Sequence, residues 1–160
     1  MNCPVFRSSK IAPTHSLTNV LSIHESRHRK QSVKRVMVID DSLDCLEAIR
    51  VLLAEYKFLE LETFESEANA FREFSHYEPD LIILDLNLNK ISGIEVAKIF
   101  KKISPFNIPI VFISNDSDAK SEIEIKLGRE ITFVKKPLNE NFLINAINDL
   151  LNFPNVAEVA

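Results

Sequence analysis

The chain has 160 residues, of which 46% are hydrophobic and 26% charged, a balance typical of one soluble domain with its own core. Its formal net charge at pH 7 is −4. Residues 1–33 carry five basic residues against one acidic residue, so they sum to +4 and the rest of the chain to −8. A domain with a charge of −8 repels nucleic acid at long range, which argues against direct DNA binding.

Cysteine usage argues against a disulfide-rich or zinc-binding protein, and hydropathy argues against a membrane-spanning one. Cys3 and Cys45 form neither a disulfide framework nor a zinc-ligand spacing, so we expect a reducing, cytoplasmic setting. The longest apolar runs, such as 81–84 and 108–114, are far shorter than the roughly 20 residues that cross a bilayer, and no membrane span is predicted. Polar composition predicts a disordered arm over residues 1–33, an ordered domain over 34–152 and a short tail over 153–160.

From Lys34 onward, extended and helical patterns alternate. The β-branched run 35–39 predicts a strand that is buried on both faces. Ser42 is placed to cap a helix predicted from about Leu43 to Tyr56. Its apolar residues recur at spacings of three or four, namely Leu43, Leu46, Ile49, Leu53 and Tyr56.

The middle of the chain repeats this alternation twice. Residues 58–64 predict a second strand and 66–76 a helix, which Glu78 and Pro79 end. The run from Asp80 to Asp85 is the clearest central strand, and 91–103 predicts the third helix.

The last part of the chain predicts two more strands, at 108–113 and 131–135. Residues 121–127 are ambiguous, because apolar and charged residues alternate as in a strand, but the connection length favours a helix. Asn139 is placed to cap a final helix. The residues predicted to share one face of this helix are Phe142, Leu143, Ala146, Ile147 and Leu150.

Five strand and helix repeats predict an α/β fold with a five-stranded, doubly wound parallel sheet. Chemically active side chains directly follow four of the strands, and they would meet where the carboxyl ends of the strands form a crevice. Crowded carboxylates need a cation, and oxygen ligands suit Mg²⁺. The side chains concerned are those of Asp40, Asp41, Asp85, Ser114 and Lys136.

This set of residues resembles the receiver domain of two-component response regulators, over about Lys34 to Leu151. In that family an acidic pair follows the first strand, an aspartate ends the third, Ser or Thr ends the fourth, and Lys-Pro ends the fifth. All these positions match in this chain. The resemblance implies the (βα)5, flavodoxin-like receiver fold.

The resemblance also implies a role for each site residue. Asp85 would be the phosphoacceptor, attacking a phosphohistidine to give an aspartyl phosphate. Asp40, Asp41 and Asp85, with the backbone carbonyl of Asn87, would hold Mg²⁺ or Mn²⁺. Lys136 would neutralise charge on the transferring phosphoryl group.

Further positions would report on the phosphorylated state or set its lifetime. Ser114 would hydrogen-bond a phosphoryl oxygen, and the ring of Phe133 would turn inward as Ser114 moves. Asn87 and Asp116, two residues beyond Asp85 and Ser114, would influence attack by water on the phosphate. An acidic Asp116 would orient that water.

Two positions depart from the family pattern. Asn89 stands where the family usually has proline, so we expect looser geometry in this loop, although Gly93 keeps its usual place. Asn115 stands where the family prefers a very small residue, and its side chain would narrow access for the phosphoryl group.

The sequence therefore predicts a stand-alone, single-domain response regulator that is not an enzyme beyond its own phosphorylation and dephosphorylation. Its expected partners are a histidine kinase or histidine phosphotransfer protein and a downstream protein target; a phosphorylation-dependent homodimer is left open. One alternative is a receiver-like scaffold that works without phosphorylation. A phosphatase of haloacid-dehalogenase type is disfavoured, because such enzymes carry an Asp-x-Asp motif where this chain has adjacent Asp40 and Asp41.

Overall fold

The computed structural model of the protein describes residues 32–116, 118–128 and 131–152. The predicted tail, and all of the predicted arm except residues 32 and 33, lie outside the described residues. Within these ranges five strands and five helices alternate along the chain. They are β1 (Lys34–Ile39), α1 (Leu43–Leu53), β2 (Leu59–Phe64), α2 (Glu67–Tyr77), β3 (Leu81–Asp85), α3 (Gly93–Ile103), β4 (Ile110–Ser114), α4 (Ala119–Leu127), β5 (Thr132–Lys135) and α5 (Glu140–Leu151).

The strands form one parallel sheet in the order β2-β1-β3-β4-β5, which confirms the predicted doubly wound fold. The register aligns the carboxyl ends of the strands: Ile39 pairs with Leu84, Asp85 with Ile113, and Ser114 with Lys135. Any side chain in the loops that follow β1, β3, β4 and β5 is therefore held at one edge of the sheet.

Helices cover both faces of the sheet. Alternate strand residues, such as Met37 and Ile39, pack with α2, α3 and α4, whereas Val36 and Val38 pack with α1 and α5. The alternation follows from the two-residue period of a strand. β3 and β4 are buried throughout, which explains why the central strands read as continuous apolar runs.

Helix α4 confirms the helical interpretation of the ambiguous segment, and it begins two residues earlier than predicted. It is also the least anchored of the five helices in the described residues. Only Ala119 and Ile123 are buried, Ile125 is 85% exposed, and Asp118 makes no side-chain cap. The other four helices have side-chain caps from Ser42, Ser66, Ser92 and Asn139.

Two apolar residues of the predicted helical patterns lie outside the core. Phe142 is 70% exposed, because the inner face of α5 is formed by Leu143, Ile144 and Ile147, and at 100° per residue Phe142 falls on nearly the opposite side. Leu43 is 62% exposed at the first turn of α1, before the helix reaches the sheet. α1 also ends at Leu53 rather than near residue 56.

Tyr77 ties α2 to the two neighbouring strands. Its buried hydroxyl lies 2.7 Å from the carbonyl oxygen of Glu60 in β2 and 3.3 Å from that of Val36 in β1. Burial is the main cause that raises the pKa of Tyr77, so the hydroxyl stays protonated and donates. We expect Tyr77→Phe to lower the free energy of unfolding by about 1 kcal/mol, because it removes a buried hydrogen bond that ties α2 to the sheet.

Urea unfolding measures this change, and Tyr56 supplies the matched control. The Tyr56 hydroxyl bonds the exposed carboxylate of Glu140 at 2.9 Å, so Tyr56→Phe should cost less than about 0.5 kcal/mol. Equal losses in the two variants would show that the hydroxyl of Tyr77 does not stabilise the sheet.

Candidate functional site

Lys136 joins two carboxylates at the carboxyl edge of the sheet. Its Nζ lies 2.7 Å from Oδ2 of Asp40 and 2.9 Å from Oδ1 of Asp85. Asp40 is fully buried and Asp85 is 4% exposed. The structure thus brings Lys136 together with two residues that lie 51 and 96 positions before it in the sequence.

Asp41 completes a group of three carboxylates. One oxygen from each of Asp40, Asp41 and Asp85 lies within 4.8 Å of the others. Asp41 is half-buried, and the other carboxylate oxygen of Asp40, Oδ1, accepts the backbone N–H of Ser42 at 2.9 Å. Three carboxylates against one ammonium leave an excess of negative charge, and an all-oxygen donor set of this kind fits a hard divalent cation such as Mg²⁺.

Burial and the opposite charge of the partner act in opposite directions on the pKa values of Asp85 and Lys136. Burial raises the pKa of Asp85 and the charge of Asp40 adds to this, while the Lys136 ammonium and the N–H of Asn87 oppose it. Burial by itself would lower the pKa of Lys136, but its bonds to Asp40 and Asp85 outweigh burial and the pKa is raised. Lys136 is therefore a fixed positive charge beside Asp85 at neutral pH.

The loop after β3 fixes the orientation of the Asp85 side chain. The backbone N–H of Asn87 donates to Asp85 Oδ2 at 3.2 Å. Leu86 and Leu88, on either side of Asn87, are buried in the core, while Asn89 is exposed. Two apolar anchors hold this loop at the position where the family's proline is absent.

Gly93 lies against the backbone of the same loop. Its N–H donates to the carbonyl of Leu86 at 2.8 Å, and a Cβ at this position would lie 2.2 Å from the carbonyl oxygen of Asp85. Any side chain here would collide with backbone, so the first residue of α3 must be glycine for the loop to close on β3.

Ser114 is fully buried at the end of β4. Its Oγ accepts the side-chain amide of Asn87 at 3.4 Å and the backbone N–H of Asp116 at 3.1 Å. Its carbonyl accepts the N–H of Lys136 at 2.8 Å, next to the cis peptide bond that joins Lys136 and Pro137. Ser114 therefore contacts the loops after β3 and β5.

The remaining predicted residues lie around this centre. Asn115 and Asp116 are exposed, and Oδ1 of Asp116 accepts the N–H of Asp118 at 2.8 Å, so this carboxylate shapes the turn before α4. Phe133 is half-buried in β5, opposite Phe112 in the register, and packs on the core beneath α2, α3 and α4.

Cys45 is a site neighbour that sequence reasoning assigned no role in the site. It lies in the first turn of α1, where its half-buried thiol is close to the Asp40 carboxylate. Burial, reinforced by this contact, raises the pKa of Cys45 to about 12, so the thiol keeps its proton at neutral pH. Its position in the first turn of the helix that follows Asp40 and Asp41 is the signal that could have found it.

A cavity of about 560 Å³ lies at the opposite edge of the sheet. Its lining includes Arg35, Asp80 and Pro109, which stand at or before the amino ends of strands, and none of the three carboxylates. The carboxylate group and this cavity are thus separate features of the domain.

A doubly wound parallel sheet with three carboxylates and a lysine at its carboxyl edge defines a phosphoryl-accepting type of α/β domain. The family profile of the response regulator receiver domain matches residues 36–148. The chain belongs to this family, whose members are signalling domains.

Similar proteins support this assignment. The chain is 27% identical over 141 residues to the response regulator protein TodT of Pseudomonas putida, covering 83% of this chain and 61% of TodT. It is 26% identical over 118 residues to the chemotaxis protein CheY of Halobacterium salinarum, covering 74% of this chain and 97% of that protein. The chain therefore spans less than two thirds of the length of TodT and nearly all of that CheY.

Solved structures agree on the fold. The chemotaxis protein CheY4 of Vibrio cholerae superposes with a TM-score of 0.67 at 23% identity, over 75% of this chain and 100% of CheY4. A response regulator receiver domain of Clostridium thermocellum has a TM-score of 0.66 at 26% identity, over 74% and 94% of the two chains.

Across the residues that the structure describes, no helix has the length and apolarity needed to cross a membrane.

Proposed function

We propose that Asp85 accepts a phosphoryl group from a phosphohistidine of a histidine kinase or histidine phosphotransfer protein, and that the phosphorylated domain signals by contact with a downstream protein. The observation that carries this proposal is the bridge from Lys136 to Asp40 and Asp85 beside the third carboxylate, Asp41. A nucleophile beside a fixed positive charge suits transfer of an anionic group.

In the proposed step, a carboxylate oxygen of Asp85 bonds to phosphorus as the bond from phosphorus to the histidine nitrogen breaks. The electron pair of the broken bond leaves on the imidazole, and an acyl phosphate remains on Asp85. Lys136 Nζ, 2.9 Å from Asp85 Oδ1, offsets negative charge on the transferred group. The N–H of Asn87 holds the carboxylate in orientation.

Asp40, Asp41 and Asp85, together with the backbone carbonyl of Asn87, would hold Mg²⁺ or Mn²⁺. When bound, the cation supplies positive charge that stabilises phosphoryl oxygens. The carboxylates by themselves repel one another and an incoming phosphoryl group, and Lys136 balances only part of their charge.

Ser114 and Phe133 would carry the signal outward. A phosphoryl group adds about −1.5 to −2 charge and three strong acceptors. The Ser114 hydroxyl would donate to one of these acceptors, and Phe133, half-buried in the neighbouring strand, would turn inward. Asn87 and Asp116 would set how fast water removes the phosphate.

Intact-mass spectrometry after incubation with acetyl phosphate and Mg²⁺ tests the proposal. We expect one added phosphoryl group on the wild type, and none when EDTA removes the metal. A well-folded protein with no adduct under both conditions would favour the receiver-like scaffold that works without phosphorylation. Turnover of a small phosphoester would favour the phosphatase.

Thermal unfolding tests the metal part of the proposal separately. Mg²⁺ should raise Tm, because a ligand that binds the folded state at about 100 times its Kd adds about 2.7 kcal/mol of stability. Asp41→Asn should lose this shift. Asp44→Asn removes an exposed acid in the first turn of α1, outside the carboxylate group, and should keep the shift.

A further inference from the structure

The hydroxyl oxygen of Ser114 is held by two donors. The side-chain amide of Asn87 approaches it at 3.4 Å and the N–H of Asp116 at 3.1 Å. A hydroxyl oxygen has two acceptor lone pairs, so these two bonds fill its acceptor capacity. Ser114 is fully buried, whereas Asn87 and Asp116 are exposed, so the two bonds lie at the boundary between the core and the surface.

Asn87 contacts both Asp85 and Ser114. Its backbone N–H donates to Asp85 Oδ2 at 3.2 Å, and its side chain reaches Ser114 in the next strand of the sheet. One residue thus connects the carboxylate that would receive the phosphoryl group with the hydroxyl that would bind it.

The chain of hydrogen bonds continues to α4. Asp116, whose N–H holds Ser114, also accepts the N–H of Asp118 on its Oδ1 at 2.8 Å. The next residue, Ala119, begins α4, which has few buried residues and no side-chain cap. A displacement of the Ser114 hydroxyl would therefore move the start of a weakly anchored helix.

We propose that the side-chain amide of Asn87 is a latch that holds Ser114 in its resting position, and that phosphorylation must break this bond before Ser114 moves toward the phosphoryl group. Asn87 is a positioning residue in this role. The inference rests on the proposed function in one respect: the group that draws Ser114 away is the phosphoryl group on Asp85. The bond from Asn87 to Ser114 is present in the unphosphorylated protein.

The latch predicts whether removal of the Asn87 side chain strengthens or weakens binding of a phosphoryl group. A residue that only binds the phosphoryl group or its metal stabilises the activated state, so its removal weakens binding. A latch stabilises the resting state, so its removal strengthens binding. A net neutral hydrogen bond corresponds to about a two- to tenfold change in an equilibrium constant.

A double-mutant cycle on the unliganded protein tests the bond itself. Asn87→Ala, Ser114→Ala and the double variant are compared by urea unfolding in metal-free buffer. We expect Asn87→Ala to reduce the folding constant about two- to tenfold more in the wild-type background than in the Ser114→Ala background. Equal effects in the two backgrounds would overturn the latch.

Beryllofluoride with Mg²⁺, an analogue of the phosphoryl group, tests the consequence. The chain has no tryptophan, so bound beryllofluoride is followed by fluorine NMR. We expect Asn87→Ala to lower the apparent Kd about two- to tenfold. Asn89→Ala, an exposed asparagine two residues along the same loop, should leave the Kd within about twofold.

An unchanged or weaker affinity of Asn87→Ala for beryllofluoride would overturn the proposed latch. In the free Asn87→Ala protein, the amide resonances of α4 should also shift toward their positions in the beryllofluoride-bound wild type, and resonances that stay in place would count against the latch. A wild type that takes up no beryllofluoride would instead overturn the proposed function. The double-mutant cycle separates the two failures, because it needs no ligand.

Discussion

Asp85→Asn should abolish the phosphoryl adduct that acetyl phosphate and Mg²⁺ produce on the wild type, with a fall of at least about a hundredfold in initial rate. An asparagine amide has the shape of the carboxylate but lacks its nucleophilic charge. Intact-mass spectrometry over a time course gives the rate.

The fold should survive this substitution. Asparagine can still accept the N–H of Asn87, and Lys136 keeps its ion pair with the fully buried Asp40. Loss of one charged partner is offset by relief of the repulsion between Asp40 and Asp85, which contributes to the raised pKa of Asp85. We expect the free energy of unfolding to change by less than about 2 kcal/mol.

Asp80→Asn is the matched control. Asp80 immediately precedes β3 and Asp85 ends it, so the two lie at opposite edges of the sheet. Asp80 accepts the N–H of Arg35 at 2.9 Å and pairs with Lys34 at 3.2 Å. Loss of the Asp80 carboxylate therefore costs some stability. The phosphoryl adduct should form on Asp80→Asn at the wild-type rate. An adduct that persisted on Asp85→Asn would place the acceptor elsewhere.

Gly93→Ala should also slow phosphorylation, although Gly93 would take no part in the chemistry. The added Cβ would lie 2.2 Å from the carbonyl oxygen of Asp85 and 2.9 Å from Cα of Leu86, and both are backbone atoms. The loop must shift, which costs about 1 to 3 kcal/mol of stability. Because a misplacement of about 1 Å costs about a hundredfold in rate, we expect phosphorylation to slow by at least about tenfold.

Gly128→Ala separates instability from misplacement. Gly128 has a φ of +98°, so a side chain there is strained, but a Cβ would have nothing within 4 Å. Strain of this kind costs about 1 to 3 kcal/mol, similar to the cost at Gly93. Both variants should lose stability, while only Gly93→Ala should lose phosphorylation when both are assayed well below their Tm. Equal rates would show that the loop after β3 tolerates displacement.

The elements that sequence reasoning placed well are those with a strong local signal. β3 and β4 are continuous apolar runs, and the caps Ser42 and Asn139 stand where the helices begin. The prediction that Phe142 shares a face with Leu143 and Ile147 was wrong. The apolar residues of α5 occupy more than one side of the helix, and only contact with the sheet decides which side is buried. α4 stayed ambiguous for a related reason, since it buries little.

The sequence by itself determined that Asp40, Asp41, Asp85, Ser114 and Lys136 would gather at one edge, because parallel strands align their carboxyl ends and each residue follows or ends a strand. Side-chain direction within that edge was decided by the tertiary structure. The bridge of Lys136 to two carboxylates, the thiol of Cys45 beside Asp40, and the bond from Asn87 to Ser114 all depend on loop conformations and strand register. These contacts span up to 96 positions along the chain, where no local pattern records which atoms meet.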